Sequence, residues 1–473
     1  MNKVKLFIEN FLVYGLGGII NKIIPLIMIP IITRIMPTTE YFGISDMSQT
    51  IISFGSALAV LGMYDAMYRM FFEKNDEQYK KTVCSTTLLF TLGMSVFVFL
   101  LMISIRNQLA KWFMGNKSFS YVIYLSAVAT LVSATNQIIS APTRMQNKRT
   151  VFLATNAISP ILSYGIAIPL LLNGYYTIAL PLAGVISGIT MEISFYIMNR
   201  EWFLPGLFDK KLLKQLLVIA IPLFPNFLIY WIFNSSDRLM ITNLINVSAE
   251  GVYAVGSKLG HASQLIYIAF AGGWQYFAFS TMKEKNQVES NSLVFEYLGI
   301  LSFVATSIVC ALSYWIFRFL FTGEYVKGFI IAPYLFLAPL LQMLFQVACN
   351  QFLVIKVTWP NMFILLGGAI LNIILNLVLI PQIGIEGAAI ATLMGYAISD
   401  IIAVIVLCHM RLMVISNRFL IISGLMIVYF LTWRMFVIDK TLIGLSMAVV
   451  FTLICGSLYK KEIIMIYGIV KKR

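Results

Sequence analysis

Apolar residues run along this chain in long blocks, separated by short clusters of charged or turn-forming residues. A transmembrane helix needs about 20 predominantly apolar residues. Lipid offers no hydrogen-bond partner to an open backbone, so blocks of this length predict spanning helices. Fourteen can be bounded, at about 8–35, 45–68, 83–105, 119–141, 151–172, 176–198, 213–243, 250–280, 292–320, 329–354, 360–381, 384–409, 418–437 and 441–459. Arg106 to Lys117 separates the third from the fourth, and Asn173-Gly174-Tyr175-Tyr176 is a tight turn between the fifth and sixth. Pro25, Pro30, Pro222 and Pro225 interrupt the helical ladder in the first and seventh spans. The seventh span is roughly 46 Å long at 1.5 Å per residue, so it must tilt, bend or protrude.

Composition narrows the class. The 473 residues are 60% hydrophobic and 11% charged, with a mean hydropathy of +0.87. Soluble domains carry roughly 25% charged residues, so an ordinary soluble enzyme is excluded, as is a disordered chain. Fourteen spans take roughly 300 residues, and the remainder makes loops too short for an extramembrane domain. The net charge of +14 would suggest nucleic acid in a soluble protein; here it follows the positive-inside rule. With the N-terminus inside, 23 of the 34 basic residues fall on inner loops and tails, eight on outer loops, and Lys22, Arg238 and Lys258 inside spans. Both termini are therefore expected in the cytoplasm. The first apolar run continues to about Met36, too long for a signal-peptide core, and reads as a retained span. Cys84, Cys310, Cys349, Cys408 and Cys455 show no paired spacing, and His261 and His409 lie far apart. Neither a disulfide framework, a metal site nor a catalytic constellation is expected.

Two landmarks recur at one offset. Glu40, in Pro37-Thr38-Thr39-Glu40-Tyr41-Phe42-Gly43, maps to Glu250, in Val247-Ser248-Ala249-Glu250-Gly251-Val252-Tyr253; Gly174 maps to Gly384. Both pairs are 210 residues apart, which predicts two six-helix lobes, 1–210 and 211–410, followed by two further spans and a basic tail over 411–473. Six spans is an even number, so the lobes share one orientation and form a parallel repeat. The fold class expected is thus an all-α polytopic membrane protein of about 14 transmembrane helices.

In order and spacing, Asn21-Lys22 with Pro25, Pro30 and Arg34, the Pro37–Gly43 turn, Pro222, Ser236-Asp237-Arg238, Glu250-Gly251-Val252-Tyr253-Ala254-Val255 and Gly384-Ile385-Glu386-Gly387-Ala388-Ala389 carry a resemblance. The chain resembles the polysaccharide-transporter branch of the multidrug/oligosaccharidyl-lipid/polysaccharide (MOP) flippase superfamily, the Wzx-type O-antigen and capsule repeat-unit flippases. The resemblance covers nearly the whole chain. It implies a two-lobed, non-enzymatic transporter in a bacterial cytoplasmic (inner) membrane. It also implies that undecaprenyl-diphosphate-linked oligosaccharide moves outward by alternating access, with polysaccharide polymerase and chain-length proteins as partners.

Charges within the bilayer cost about 2.5–3.5 kcal/mol on insertion scales, so each requires an account. A diphosphate headgroup needs cations inside a cavity, and Arg offers it bidentate geometry where Lys offers a point charge. Lys22, Arg238 and Lys258 are the candidates to bind it; the alternative is that each is neutralised by a carboxylate and fixes helix packing. Asp46, Asp65, Glu192, Asp237 and Asp400 are candidate ion-pair or coupling groups. Asp65 and Arg69 are four residues apart and share a helix face, which favours an ion pair. Asp237 and Arg238 are adjacent, so their side chains point about 100° apart and must find different partners. Asp400 or Glu192 could serve a driving cation, Na⁺ or H⁺, or fix helix packing; membrane potential is a third energy source. No other cofactor is expected. His261 reads as a helix-interface group, and Asn136, Gln137, Asn372 and Asn376 as amides that bond helices together or line a sugar path.

Rival functions are lipid II export, which shares the logic of a basic cavity, and multidrug or cation export, whose pockets would be acidic. A membrane polysaccharide polymerase would need an outer catalytic loop, and the longest outer loop, about Arg106 to Ser118, holds no carboxylate.

Overall fold

A computed structural model describes residues 3–462, apart from 269, 271–273, 275–277, 279–280, 283 and 358, and apart from the side chains of 3–18 and 226. Among the described residues every regular element is helical. Ten helices are long and apolar enough to cross a membrane, and twelve spans result when each of two bent pairs counts as one. The other two spans expected from the sequence are 8–35, which falls on helix α1 (Lys3–Ile35), and 250–280, part of which lies outside the described residues. The chain is a multi-pass membrane protein.

The helices gather into two compact units, Met1–Ala254 and Val255–Arg473. The first contains α1, α2 (Thr39–Val60), α3 (Met63–Phe71), α4 (Glu77–Ser104), α5 (Arg106–Met114), α6 (Ser120–Met145), α7 (Arg149–Leu172), α8 (Ala179–Asn199), α9 (Lys210–Ala220), α10 (Phe224–Leu244) and the first half of α11 (Val247–Gly260). Within this unit α10 packs on α2 and α5. Trp231 Nε1 donates to Ser53 Oγ (3.2 Å), and Asn243 donates to the carbonyl of Trp112 (2.6 Å).

The span expected at 45–68 is broken. Leu61 and Gly62 both take positive φ, and α2 and α3 meet at 47°. Glycine is required at 62 on two counts: its φ is +76°, and a Cβ there would lie 2.6 Å from the carbonyl oxygen of Ala220. The long seventh span bends by the same 47° between its segments Lys210–Leu223 and Phe227–Leu244, at the break that contains Pro225. The stretch from Arg106 to Lys117, expected as an outer loop, is largely helix α5. Ala110, Phe113 and Met114 give it a buried face, and Gly115 (φ 72°) ends it. The i, i+3, i+4 spacing of those residues was the signal.

Asp76 caps α4 by accepting from the amides of Gln78 and Tyr79. Asp209 caps α9 in the same way, accepting from Lys211 and Leu212. Two apolar clusters lie in this unit. One joins α2, α4, α5 and α6 around Ile44, Met47, Val122 and Ile123. The other joins α3, α4, α6, α8 and α9 around Met67, Cys84, Ile138 and Leu216.

The second unit contains the rest of α11, then α12 (Gln287–Leu320), α13 (Ala332–Val354), α14 (Trp359–Ile383), α15 (Ile385–His409), α16 (Asn417–Thr432) and α17 (Thr441–Leu458). Gly384, at the α14–α15 turn, has φ 67°, and Gly174, its counterpart 210 residues earlier at the α7–α8 turn, has φ 86°. The last two spans are fastened at both ends. At one end Glu296 of α12 accepts from the amide (2.6 Å) and hydroxyl (2.8 Å) of Ser416 and from the Tyr459 hydroxyl (2.6 Å). Beside it Arg418 pairs with Glu462 (2.9 Å). At the other end Arg434 grips Glu386 with two nitrogens, at 2.5 and 2.9 Å, and Tyr334 donates to the same carboxylate (3.1 Å).

Candidate functional site

In the first unit the intramembrane charges collect where α2, α10 and α11 meet. Asp46 of α2 forms an ion pair with Arg238 of α10, and their side chains are 2% and 13% exposed respectively. Asp237 turns the other way. It accepts from the hydroxyl of Tyr253 on α11 and from the backbone N–H of Arg238 (2.8 Å). The divergence expected of adjacent helical residues is thus what the structure shows. Such a pair, nearly excluded from water, holds only because each charge has its partner.

Alongside, α2 and α11 touch backbone to backbone. A Cβ at Gly43 would lie 2.1 Å from the carbonyl oxygen of Val247, and one at Gly251 would lie 2.0 Å from that of Thr39. The two glycines therefore permit an approach that no other residue allows. Glu250, next to Gly251, is fully buried.

The other candidates are dispersed. Lys22 is exposed on α1. Lys258 is half-buried on the part of α11 that belongs to the second unit. Its neighbour His261 shares a hydrogen bond with Ser257 through Nδ1 (3.0 Å). Glu192 accepts from Thr135 (2.5 Å), which ties α8 to α6. Asp65 and Arg69 are both exposed on α3, and no ion pair joins them; with both side chains in water, the four-residue spacing alone gives little reason to close. Asp400 of α15 is buried, and neither of its oxygens has a hydrogen-bond partner among the described residues. Asn372 donates to Thr392 (3.1 Å) and Asn376 to Asn372 (3.2 Å), so these amides join α14 to α15.

A cavity of about 340 Å³ within the first unit is lined by α1, α2, α6, α7 and α8; the sequence reading offered Asn136 for a sugar path but not the cavity around it. Asn21, Gln49, Ser133, Asn136, Ser159 and Ser163 line it, with no charged residue. A second cavity of about 180 Å³ shares Asn21, Asn136 and Ser159 with it and includes Arg144. A signal was available: Ser133, Asn136 and Ser140 on α6, and Asn156, Ser159 and Ser163 on α7, repeat at i, i+3, i+7 and so form one polar stripe on each helix.

Residues 7–282, more than half of the chain, match the model of the family described as polysaccharide biosynthesis protein. The chain belongs to that family. Its fold is similar to that of the lipid II flippase MurJ in an inward closed conformation (TM-score 0.73, 16% identity, 96% of this chain and 100% of that one). It is also similar to a multidrug resistance MATE family transporter of the MOP superfamily, inward-facing (TM-score 0.60, 14% identity, 83% of this chain and 98% of that one). The outward-facing form of a MATE family transporter matches as well (TM-score 0.59, 13% identity, 86% and 95%). No curated protein matches the sequence. The family match and the fold agree in kind: the solved structures that this chain is similar to are a lipid flippase and transporters of the MOP superfamily.

Proposed function

We propose that this protein is a flippase that moves undecaprenyl-diphosphate-linked oligosaccharide repeat units from the inner to the outer leaflet by alternating access. The units would be those of O-antigen, capsule or another surface polysaccharide. The observation that carries the reading is the match to the polysaccharide biosynthesis family, made on a chain whose fold follows a lipid flippase along its whole length. In this reading residues 1–210 and 211–410 form the two lobes, the membrane is the bacterial cytoplasmic one, and both termini are cytoplasmic. A polysaccharide polymerase and chain-length proteins would take up the product, and no covalent chemistry is assigned to the chain itself.

Lys22, Arg238 and Lys258 are the proposed contacts of the diphosphate. Lys22 is exposed in this conformation, whereas Arg238 is held by Asp46 and would reach phosphate only after that pair opens. Asp400 is the proposed coupling group for Na⁺ or H⁺, since its carboxylate is buried without a hydrogen-bond partner among the described residues. The whole-length likeness to a lipid II flippase favours lipid II as the second reading.

The test is transport in proteoliposomes. Undecaprenyl-diphosphate-linked oligosaccharide, lipid II and a cationic dye are offered to the wild type and to Lys22→Ala. The expected result is movement of the linked oligosaccharide by the wild type and its loss in the correctly inserted variant. Transport of lipid II alone, or of the dye alone, would overturn the reading, and full activity of Lys22→Ala would remove that residue from the site.

A further inference from the structure

The cavity lined by α1, α2, α6, α7 and α8 is an open, polar recess in which Asn21, Gln49 and Ser133 are exposed. Its lining includes the amides of Asn21, Gln49 and Asn136 and the hydroxyls of Ser133, Ser159 and Ser163. Polar side chains inside bilayer proteins ordinarily bond to neighbouring helices or to their own backbone, and many of the described residues do so. Most serines and threonines on the spans, such as Thr130, Thr190 and Ser302, donate to the carbonyl three or four residues back. The cavity residues differ. Asn21, Gln49, Ser133, Asn136 and Ser163 make no side-chain hydrogen bond to any described residue, and the Oδ1 atom of Asn136 is buried as well as unpartnered. Of the six residues only Ser159 is engaged, with Ser187.

Two prolines add acceptors. Pro25 in α1 and Pro160 in α7 both line the cavity. Each removes the N–H that would bond the carbonyl four residues earlier. Those carbonyls belong to Asn21 and Asn156, both lining residues of this cavity or of the one that adjoins it. The ring of Tyr164 and the rings of the prolines supply apolar faces. At about 340 Å³ the space lies within the ~300–1,000 Å³ of small-molecule sites.

A ligand that fits must offer several donors and acceptors, carry no charge, and present apolar C–H faces between them. We propose that this cavity is a sugar-binding subsite, which takes one or two neutral sugar residues of the lipid-linked oligosaccharide while the diphosphate is held elsewhere; the proposal rests on the flippase reading above. Vicinal hydroxyls match the two-pronged amides of Asn21, Gln49 and Asn136, and the C–H faces of a pyranose match Tyr164. The lining itself is neutral, and cations stand only at its border, Arg144 in the adjoining cavity and Lys22 next to Asn21 in the chain.

Two measurements on the full-length protein in lipid nanodiscs test this. In the first, Ser133→Cys is labelled with a polar maleimide, with the wild type and its native cysteines as background. The probes are undecaprenyl diphosphate bearing a chitobiose disaccharide and bare undecaprenyl diphosphate. The glycosylated lipid is expected to slow labelling by about fivefold and the bare lipid to leave the rate unchanged. Equal labelling with both lipids, in protein that transports the glycosylated one, overturns the subsite and leaves the flippase reading standing. Failure of the wild type to transport either lipid overturns the flippase reading, and the subsite with it.

In the second, Gln49→Leu and Asn136→Leu are combined. Loss of two hydrogen bonds to sugar is expected to raise the KM for the glycosylated lipid about tenfold. The unfolding midpoint should stay the same or rise, because neither amide has a protein partner to lose. A lowered midpoint with an unchanged KM would make the amides structural and overturn the proposal.

Discussion

Asp46 and Arg238 pair across α2 and α10 with almost no access to water, and the consequence for stability is a sharp non-additivity. Asp46→Asn removes the carboxylate that faces a guanidinium unable to deprotonate. Asp237, one residue away, points about 100° off and is already engaged with Tyr253, so it offers no ready substitute. Breaking a buried pair by removing one partner costs on the order of 3–5 kcal/mol, whereas replacing both by apolar groups of similar volume ranges from neutral to about 1–4 kcal/mol stabilising. Asp46→Asn and Arg238→Gln should each lower the unfolding midpoint strongly, while Asp46→Leu with Arg238→Met restores or exceeds the wild type.

The assay is already built into the chain. Cys84, Cys310, Cys349 and Cys455 are buried, so a thiol-reactive fluorophore reports unfolding in detergent. If the two single variants lose less than about 1 kcal/mol each, or if the double variant shows the sum of the single losses, the pair does not stabilise α2 against α10 and the reasoning fails.

Further outcomes follow from the same geometry. Gly251→Ala puts a Cβ 2.0 Å from the Thr39 carbonyl oxygen; forcing that contact should cost about 1–3 kcal/mol or more, read as a lowered midpoint, and an unchanged one would mean that α2 and α11 are not in contact. Glu462, just beyond the last span, is held below the ordinary glutamate range by a backbone hydrogen bond and by Arg418. A depressed carboxylate stabilises above its unfolded value and loses that contribution as pH falls through the folded one. Protease resistance of the C-terminal segment should therefore exceed that of Glu462→Gln at neutral pH and converge with it in acid; equal resistance at pH 7 would refute the clamp. Asp400→Asn should remove the dependence of transport on an ion gradient without lowering stability, and unchanged dependence would exclude Asp400 from coupling.

The helical, membrane-spanning class was legible because hydrophobic block length is a one-dimensional property. Local backbone breaks were less so. The 45–68 block is continuous in hydropathy yet bends at Leu61-Gly62, since a left-handed pair depends on what packs nearby, here the Ala220 carbonyl. The adjacency of Asp237 and Arg238 was enough to predict different partners, but not that these would be Tyr253 and Asp46, because partner choice is set by helix packing. The Asp65–Arg69 pair, read from spacing alone, does not form, because exposure removes the incentive. The neutral cavity was legible only at Asn136, for the opposite reason. A serine or asparagine stripe in a span looks the same whether it bonds to its own helix or faces a void, and only the hydrogen-bond pattern separates the two.

The crossing of α2 and α11 carries one more implication. The carbonyls of Thr39 and Val247 each sit over the glycine of the opposite helix, with the same four-residue spacing on both sides. Beside the contact lies the buried carboxylate of Glu250, 3.1 Å from where a Cβ on Gly43 would sit. Sliding either helix by one residue would bring a Cβ to the place a glycine now occupies, so the contact has a single seat, like the notch of a detent. Under alternating access, α2 and α11 would leave that seat in one discrete step, and the depth of the notch, set by two hydrogen atoms in place of two methyl groups, would govern how often they do.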